Sequence, residues 1–284
     1  MSAAVQEGAA SPKSGGFGDL GPRVASAVVL VAMATATAFY GGAVFAAFWL
    51  LVACAVVWEW QGLIGGERRL ARVVLGCLAL AAAVALVHGQ APSAALIAIG
   101  LVCAAAGLLA GPDRRIWAAS GVLYAAALVL SVDLLRRSDD RGAIAIAWLF
   151  AIVWGADVFA YFGGRLIGGP KLWPRVSAGK TWSGAAVGAL SGAALGALVA
   201  HLFAGASVAP MFLVSLVAVI LSQLGDLFES AVKRRFDVKD SSRLIPGHGG
   251  VMDRVDGFIF AAVFAAALGA LRDPASAASG LFLW

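Results

Sequence analysis

The residues best equipped for chemistry lie between Ser230 and Gly257, where 28 residues carry six Lys/Arg, four Asp and one of the chain's three histidines. Asp226, Ser230 and Lys233 lead into this stretch at i, i+4 and i+7, which puts them on one helix face with Glu229 one position round. A carboxylate held at the mouth of a helix bundle can bind a hard cation; an intramembrane Asp–Lys pair that fixes packing is the alternative. Farther on, GGVMDRVDG sets Asp253 and Asp256 at i, i+3 at the start of an apolar run. Gly249 and Gly250 let the backbone approach a ligand closely and offer N–H groups to an anion. Taken singly, Asp253 or Asp256 can be a helix cap. Meeting Asp226 from another helix, the pair can hold one or two Mg²⁺, which bridge phosphate oxygens and neutralise charge in phosphoryl or nucleotidyl transfer.

A second polar region runs from Asp157 to Gly184. Asp157, Tyr161 and Arg165 follow one another at single-turn intervals, and an acid inside an apolar span is a functional candidate by default. The loop PKLWPRVSAGKTWSG contains Ser177, Gly179, Lys180 and Thr181, a small basic turn suited to wrapping phosphates. It lacks the GxxxxG of a Walker A loop, and plain positive charge beside a membrane is the bland reading. His248, between two glycines in a basic loop, is expected to contact a phosphate or base. His88 and His201 sit at span ends and receive no function; Glu59 and Asp133, near span ends, read as structural. Cys54, Cys77 and Cys103 lie in apolar runs without CxxC spacing and read as packing residues.

What must position these groups is a membrane bundle. The chain is 61% hydrophobic and 13% charged, far from the balance of a soluble domain. Several windows exceed the roughly 18 apolar residues needed to cross ~30 Å of hydrocarbon. We count nine spans, near 24–42, 43–64, 73–89, 92–112, 116–135, 143–164, 184–204, 208–232 and 257–271, in an all-α polytopic fold. Alternating β-barrel segments are absent. Residues 1–22 are expected to be a disordered tail and do not resemble a signal peptide. Residues 23–135 form the N-terminal helices and 136–284 the catalytic region, with polar loops at 165–182 and 233–256.

Grouping the tail with the loops after spans two, four, six and eight collects 17 of the 21 Lys/Arg on one side. That asymmetry predicts a cytoplasmic N-terminus and places both polar loops in the cytoplasm. Gly184, Gly188, Gly192 and Gly196 recur every four residues and predict a smooth face for close helix packing, with a substrate groove as the alternative.

With these residues in place, a resemblance emerges. Ser230, Lys233, Arg234, Lys239, Asp240, Pro246, His248, Gly249, Gly250, Asp253, Arg254 and Asp256 match, without a gap, the signature of the phosphatidate cytidylyltransferases, or CDP-diacylglycerol synthases. Asp157, Ala160, Tyr161, Gly164 and Arg165 resemble a second family segment. Ser177, Lys180, Thr181, Trp182 and Gly184 resemble a third, with Ala178 where the family has Pro and Ser183 where it has Glu. Gln223, Gly225, Asp226 and Leu227 resemble a fourth. The likeness covers 157–257; the first five spans match only as apolar helices.

The resemblance implies a multi-pass enzyme of the bacterial inner membrane, with its site facing the cytoplasm, that joins CTP and phosphatidic acid into CDP-diacylglycerol and pyrophosphate. It implies Mg²⁺ on Asp226 and Asp253 with Asp256 nearby, and Lys233 among the catalytic groups. Lys180, Arg234, Lys239, His248 and Arg254 are then candidates for holding phosphates. Membrane lipids are partners, nucleic acid is not, and a homodimer is compatible with the sequence without being required. A cation- or proton-coupled transporter working through Asp157 and Asp226 is the alternative, disfavoured because no inverted repeat is visible and the charges gather at one face. A non-catalytic scaffold would not need these acids. A CDP-alcohol phosphotransferase would show DGxxAR, and the chain has no such string.

Overall fold

The computed structural model describes residues 20–137, 141–245 and 249–284. Among the described residues nine long helices run in order: α1 Leu20–Tyr40, α2 Gly42–Ile64, α3 Arg69–His88, α4 Pro92–Leu109, α5 Arg115–Arg136, α6 Gly142–Ile167, α7 Trp182–Ala204, α8 Val208–Arg235 and α9 Met252–Arg272. A short α10, Ala277–Leu281, follows. Eight of the long helices are long and apolar enough to cross a membrane, and the apolar part of α1, Val24–Tyr40, is a shorter ninth. The architecture is the expected polytopic all-α bundle. In hydrocarbon every backbone N–H and C=O needs an internal partner, and a continuous helix is the simplest way for an apolar run to supply it.

Three boundaries depart from expectation. The expected tail of 1–22 lies outside the described residues as far as residue 19, but α1 already starts at Leu20. Helix α8 continues to Arg235 and α9 starts at Met252, so the loop expected over 233–256 shrinks to 236–251. Asp253 and Asp256 therefore sit inside the first turns of α9. Charged residues there still have helical N–H and C=O partners, so hydropathy alone underestimates helix length at polar ends. The other polar loop contains an antiparallel hairpin, β1 Lys171–Trp173 and β2 Ser177–Thr181, with Lys171 opposite Thr181 and Trp173 opposite Ser177.

Two glycine features shape the bundle. Gly41 and Gly42 both have positive φ (67° and 52°), which lets α1 reverse directly into α2. The Arg136 guanidinium fills the space a Cβ at Gly41 would need, donating from Nε to Ala38 O at 2.7 Å and from Nη2 to Phe39 O at 3.2 Å. The glycine stripe on α7 lies against the backbone of α6. A Cβ at Gly188 would stand 2.7 Å from Ala156 O, and one at Gly192 would stand 2.8 Å from Ile152 O. The stripe is a packing face, as expected, and it draws the Asp157 helix against the helix that follows the hairpin.

The core spans both halves of the chain. Trp60 and Trp148 are fully buried. Trp49 of α2 stacks on Phe258 of α9 with centroids 5.1 Å apart, and Phe150 of α6 packs on the same ring at 5.7 Å. The Tyr124 hydroxyl of α5 donates to the Asp256 carbonyl at 3.3 Å. The N-terminal helices thus form the wall against which α9 is seated.

Candidate active site

The site is assembled where the ends of α6, α8 and α9 meet the hairpin. Thr181 starts α7 as its N-cap, its Oγ1 accepting from Gly184 N at 3.1 Å. A threonine there satisfies one of the amides that the first helical turn leaves unpaired. Ser183, where an acid was expected from the resemblance, donates its hydroxyl to Gly168 O and closes the base of the hairpin. Gln223 of α8 donates to Ala185 O at 3.0 Å and docks α8 onto α7. With both helices fixed, Lys180 at the end of β2 reaches Asp226 and forms an ion pair with it. The Ser230 hydroxyl lies 3.4 Å from the other Asp226 oxygen, one turn along, as the helical spacing predicts.

The second ion pair is built the same way. Lys233 of α8 stands 2.8 Å from Asp253 Oδ1 and 2.5 Å from Glu229 Oε2. Glu229 is fully buried with both oxygens outside hydrogen-bond alignment, so Lys233 is its one charge partner among the described residues. Asp253 also accepts from Gly250 N at 2.8 Å and from Ser241 N at 3.2 Å. Asp256 accepts from Gly257 N at 2.8 Å.

These groups frame two adjoining cavities. The larger, about 500 Å³, has a polar floor of Asp157, Asp226, Lys233, Asp253, Arg254 and Asp256. Its upper part is apolar, lined by Leu30 and Val31 of α1, Phe48 and Trp49 of α2, and Phe150 and Trp154 of α6. The second, about 460 Å³, lies between α6, the hairpin and α7, and is lined by Asp157, Tyr161, Arg165, Lys171, Lys180 and Thr181 among others. Asp157 borders both, and the Lys180–Asp226 pair joins them. Asp157, Asp226 and Asp256 feel one another electrostatically.

The sequence candidates therefore separate into three groups. Asp157, Tyr161, Arg165, Lys180, Thr181, Asp226, Lys233, Asp253, Arg254 and Asp256 line one cavity or both. Others shape its surroundings: Ser230 beside Asp226, Ser177 in the hairpin, and Gly249 at φ 82° bridged to Ile245. Gly250 shares this role, since a Cβ there would collide with the Ser241 hydroxyl at 1.9 Å. Arg234 and Lys239 are exposed outside the cavities, Arg234 donating to Val238 O at 3.1 Å. His248 lies outside the described residues.

Glu59, which reads from the sequence as a structural acid near a span end, is carried by α2, 1% exposed, to the segment before α9, where Val251 N and Met252 N donate to it; which segment it ties is what the sequence left open. The one available signal was an acid set in the apolar segment VVWEWQG, and that signal does not say which loop it meets.

Chemically, the floor offers hard oxygen donors and ammonium groups around one space, which suits phosphates and a divalent cation. Among the described residues no three His, Cys, Asp or Glu side chains stand together as a preformed metal group. The donor chemistry nevertheless fits Mg²⁺, because Asp226 and Asp253 each already hold a positive charge facing the same cavity.

Comparison with known proteins places these features in context. The model of the cytidylyltransferase family matches residues 21–271. A protein of Brucella abortus named phosphatidate cytidylyltransferase is 38% identical over 268 residues, 93% of this chain and 98% of its own. One of Pseudomonas aeruginosa with the same name is 36% identical over 87% of this chain and 96% of its own. A Bacillus subtilis protein, again so named, is 40% identical over 46% of this chain and 49% of its own.

Proposed function

The chain belongs to the cytidylyltransferase family, and from that membership and the site's geometry we propose that it joins CTP and phosphatidate into CDP-diacylglycerol and pyrophosphate. It is a multi-pass membrane nucleotidyltransferase of phospholipid biosynthesis. The observation that carries the mechanism is one cavity with a charged floor and an apolar upper half walled in part by α1. A lipid phosphate needs both.

A phosphate oxygen of phosphatidate attacks the α-phosphorus of CTP; the new P–O bond forms as the bond to the β-phosphate oxygen breaks, and pyrophosphate departs. The nucleophile is already anionic, so no strong general base is demanded. The reaction needs in-line positioning, charge neutralisation and a stabilised leaving group. Lys180 and Lys233 exchange their carboxylate partners for substrate phosphates, with Arg165 and Arg254 on the rim; His248, outside the described residues, is a further candidate for a phosphate contact. Asp226 and Asp253, with Asp256 nearby, would hold Mg²⁺, which would supply charge neutralisation for the triphosphate. Asp157 lies between the lipid-side and hairpin-side cavities and orients groups in both. The acyl chains stay in the bilayer and enter along α1 and α6, past Val31 and Trp154.

The site faces the cytoplasm of the bacterial inner membrane, the side richer in Lys/Arg. Cysteines introduced at Ser138 and Arg175, in a background without the three native ones, should then react oppositely with an impermeant thiol reagent. The decisive assay is incorporation of radiolabel from CTP into lipid in detergent, with phosphatidate and with or without Mg²⁺. Absence of phosphatidate-dependent product would overturn the activity; Mg²⁺-independent product would overturn the metal.

A further inference from the structure

We infer that Glu59 is a positioning residue for the reaction, holding the segment that leads into Asp253 at the start of α9 from a helix outside the motif-bearing half of the chain. The inference rests on the reading of Asp253 as a cation ligand. Glu59 Oε1 accepts from Val251 N at 2.8 Å and the Ser242 hydroxyl at 2.6 Å. Oε2 accepts from Met252 N at 2.6 Å and the Ser241 hydroxyl at 3.1 Å. A carboxylate has about four acceptor sites, and here each is used.

The partners interleave with those of Asp253. Gly250 N goes to Asp253, the next two amides go to Glu59, and Ser241 gives its N–H to Asp253 and its hydroxyl to Glu59. Two acids from different helices thus tie both ends of the 241–252 segment, and the two amides Glu59 takes, Val251 and Met252, are ones the start of α9 leaves unpaired. Negative charge at a helix N-terminus is also favourable. Gly250 is required for this arrangement: a Cβ would lie 2.7 Å from Glu59 Oε1 and 1.9 Å from Ser241 Oγ. Glu59 borders neither cavity and is buried, so it acts through the loop and not on substrate.

The test is Glu59→Gln, which keeps size but turns an acceptor into a donor facing the loop's N–H and hydroxyl groups. In protein retaining wild-type thermal stability in detergent, kcat should fall at least ~10-fold and the Mg²⁺ concentration for half-activation should rise several-fold. Independently of turnover and without Mg²⁺, trypsin should cut after Arg243 faster than in the wild type. Should Glu59→Gln fail to fold, the Ser241→Ala/Ser242→Ala variant removes the two hydroxyl contacts and leaves Glu59 its Val251 and Met252 amides, and smaller shifts in the same directions are expected. Unchanged loop cleavage, or unchanged Mg²⁺ half-activation in folded protein, overturns the inference. Faster cleavage with no phosphatidate-dependent activity even in the wild type would instead fault the function reading while leaving the clamp in place.

Discussion

Two charged clusters sit at opposite ends of this bundle, and only one of them faces an open space. In the N-terminal half, Asp133 of α5 is 3% exposed, with Oδ1 3.0 Å from His88 Nε2 and Oδ2 taking Arg137 through Nε at 3.1 Å and Nη2 at 2.7 Å. Arg137 also donates to Val87 O at 3.2 Å, so the group locks α3 to α5. In the C-terminal half, Lys180–Asp226 and Lys233–Asp253 have similar chemistry, but their carboxylates line a cavity of about 500 Å³. A charged cluster within a membrane protein is therefore not in itself a site. What separates structure from function is whether the pair's partners can be exchanged for a ligand's.

Substitutions can test that contrast. The largest effect is expected at the cavity acids. Asp226→Asn keeps the volume and loses the charge, so turnover should fall by roughly 10²-fold or more with the fold retained, on the scale of losing several kcal/mol of charge stabilisation. The Asp226→Asn/Asp253→Asn variant should be hardly worse than either alone, because groups acting as a unit are not additive. Near-normal turnover in a stable Asp226→Asn protein would reduce the cavity pair to the status of the Asp133 cluster.

Lys180→Ala comes next, with an expected ~10- to 100-fold loss in kcat/KM for CTP and Asp226 left without its counter-ion. Wild-type kinetics would remove the hairpin from the site.

Val31→Trp probes whether α1 walls the lipid side. It should lower kcat/KM by about 10-fold for long-chain phosphatidate and leave dihexanoyl phosphatidate and the KM for CTP nearly unchanged, because a filled apolar arm obstructs only a chain long enough to occupy it. Equal losses on both lipids would refute an acyl passage there.

The smallest catalytic effect belongs to Asp133→Asn. It should leave kcat and KM alone and lower stability by roughly 1 kcal/mol, read as a drop of a few degrees in detergent Tm, since the buried carboxylate's charge and one acceptor are lost to partly exposed His88 and Arg137. A large activity loss without a stability loss would erase the distinction between the two ends.

Much of this was legible without coordinates. Eight apolar runs of membrane length and a shorter ninth dictate a helical bundle, because hydrocarbon leaves the backbone no other partner. Helical periodicity alone puts Asp226, Ser230 and Lys233 on one face, and the contacts follow it. The four-residue glycine spacing announced a packing face, and the α6 backbone lies on it. Those are local properties, carried by short-range spacing.

Other features depended on which helix lies beside which. Lys180 meets Asp226 only because Thr181 caps α7 and Gln223 docks α8 against it. Glu59 is 192 residues from the amide of Val251 that it accepts, and no periodicity relates the two. An acid in an apolar segment announces that some partner must exist, since a buried charge without one is costly. It does not say which partner. Sequence spacing thus determined the spans and the faces of the reactive residues, while the packing of α2 against α9 decided that Glu59 holds the loop, and that of α3 against α5 that Asp133 is a tie.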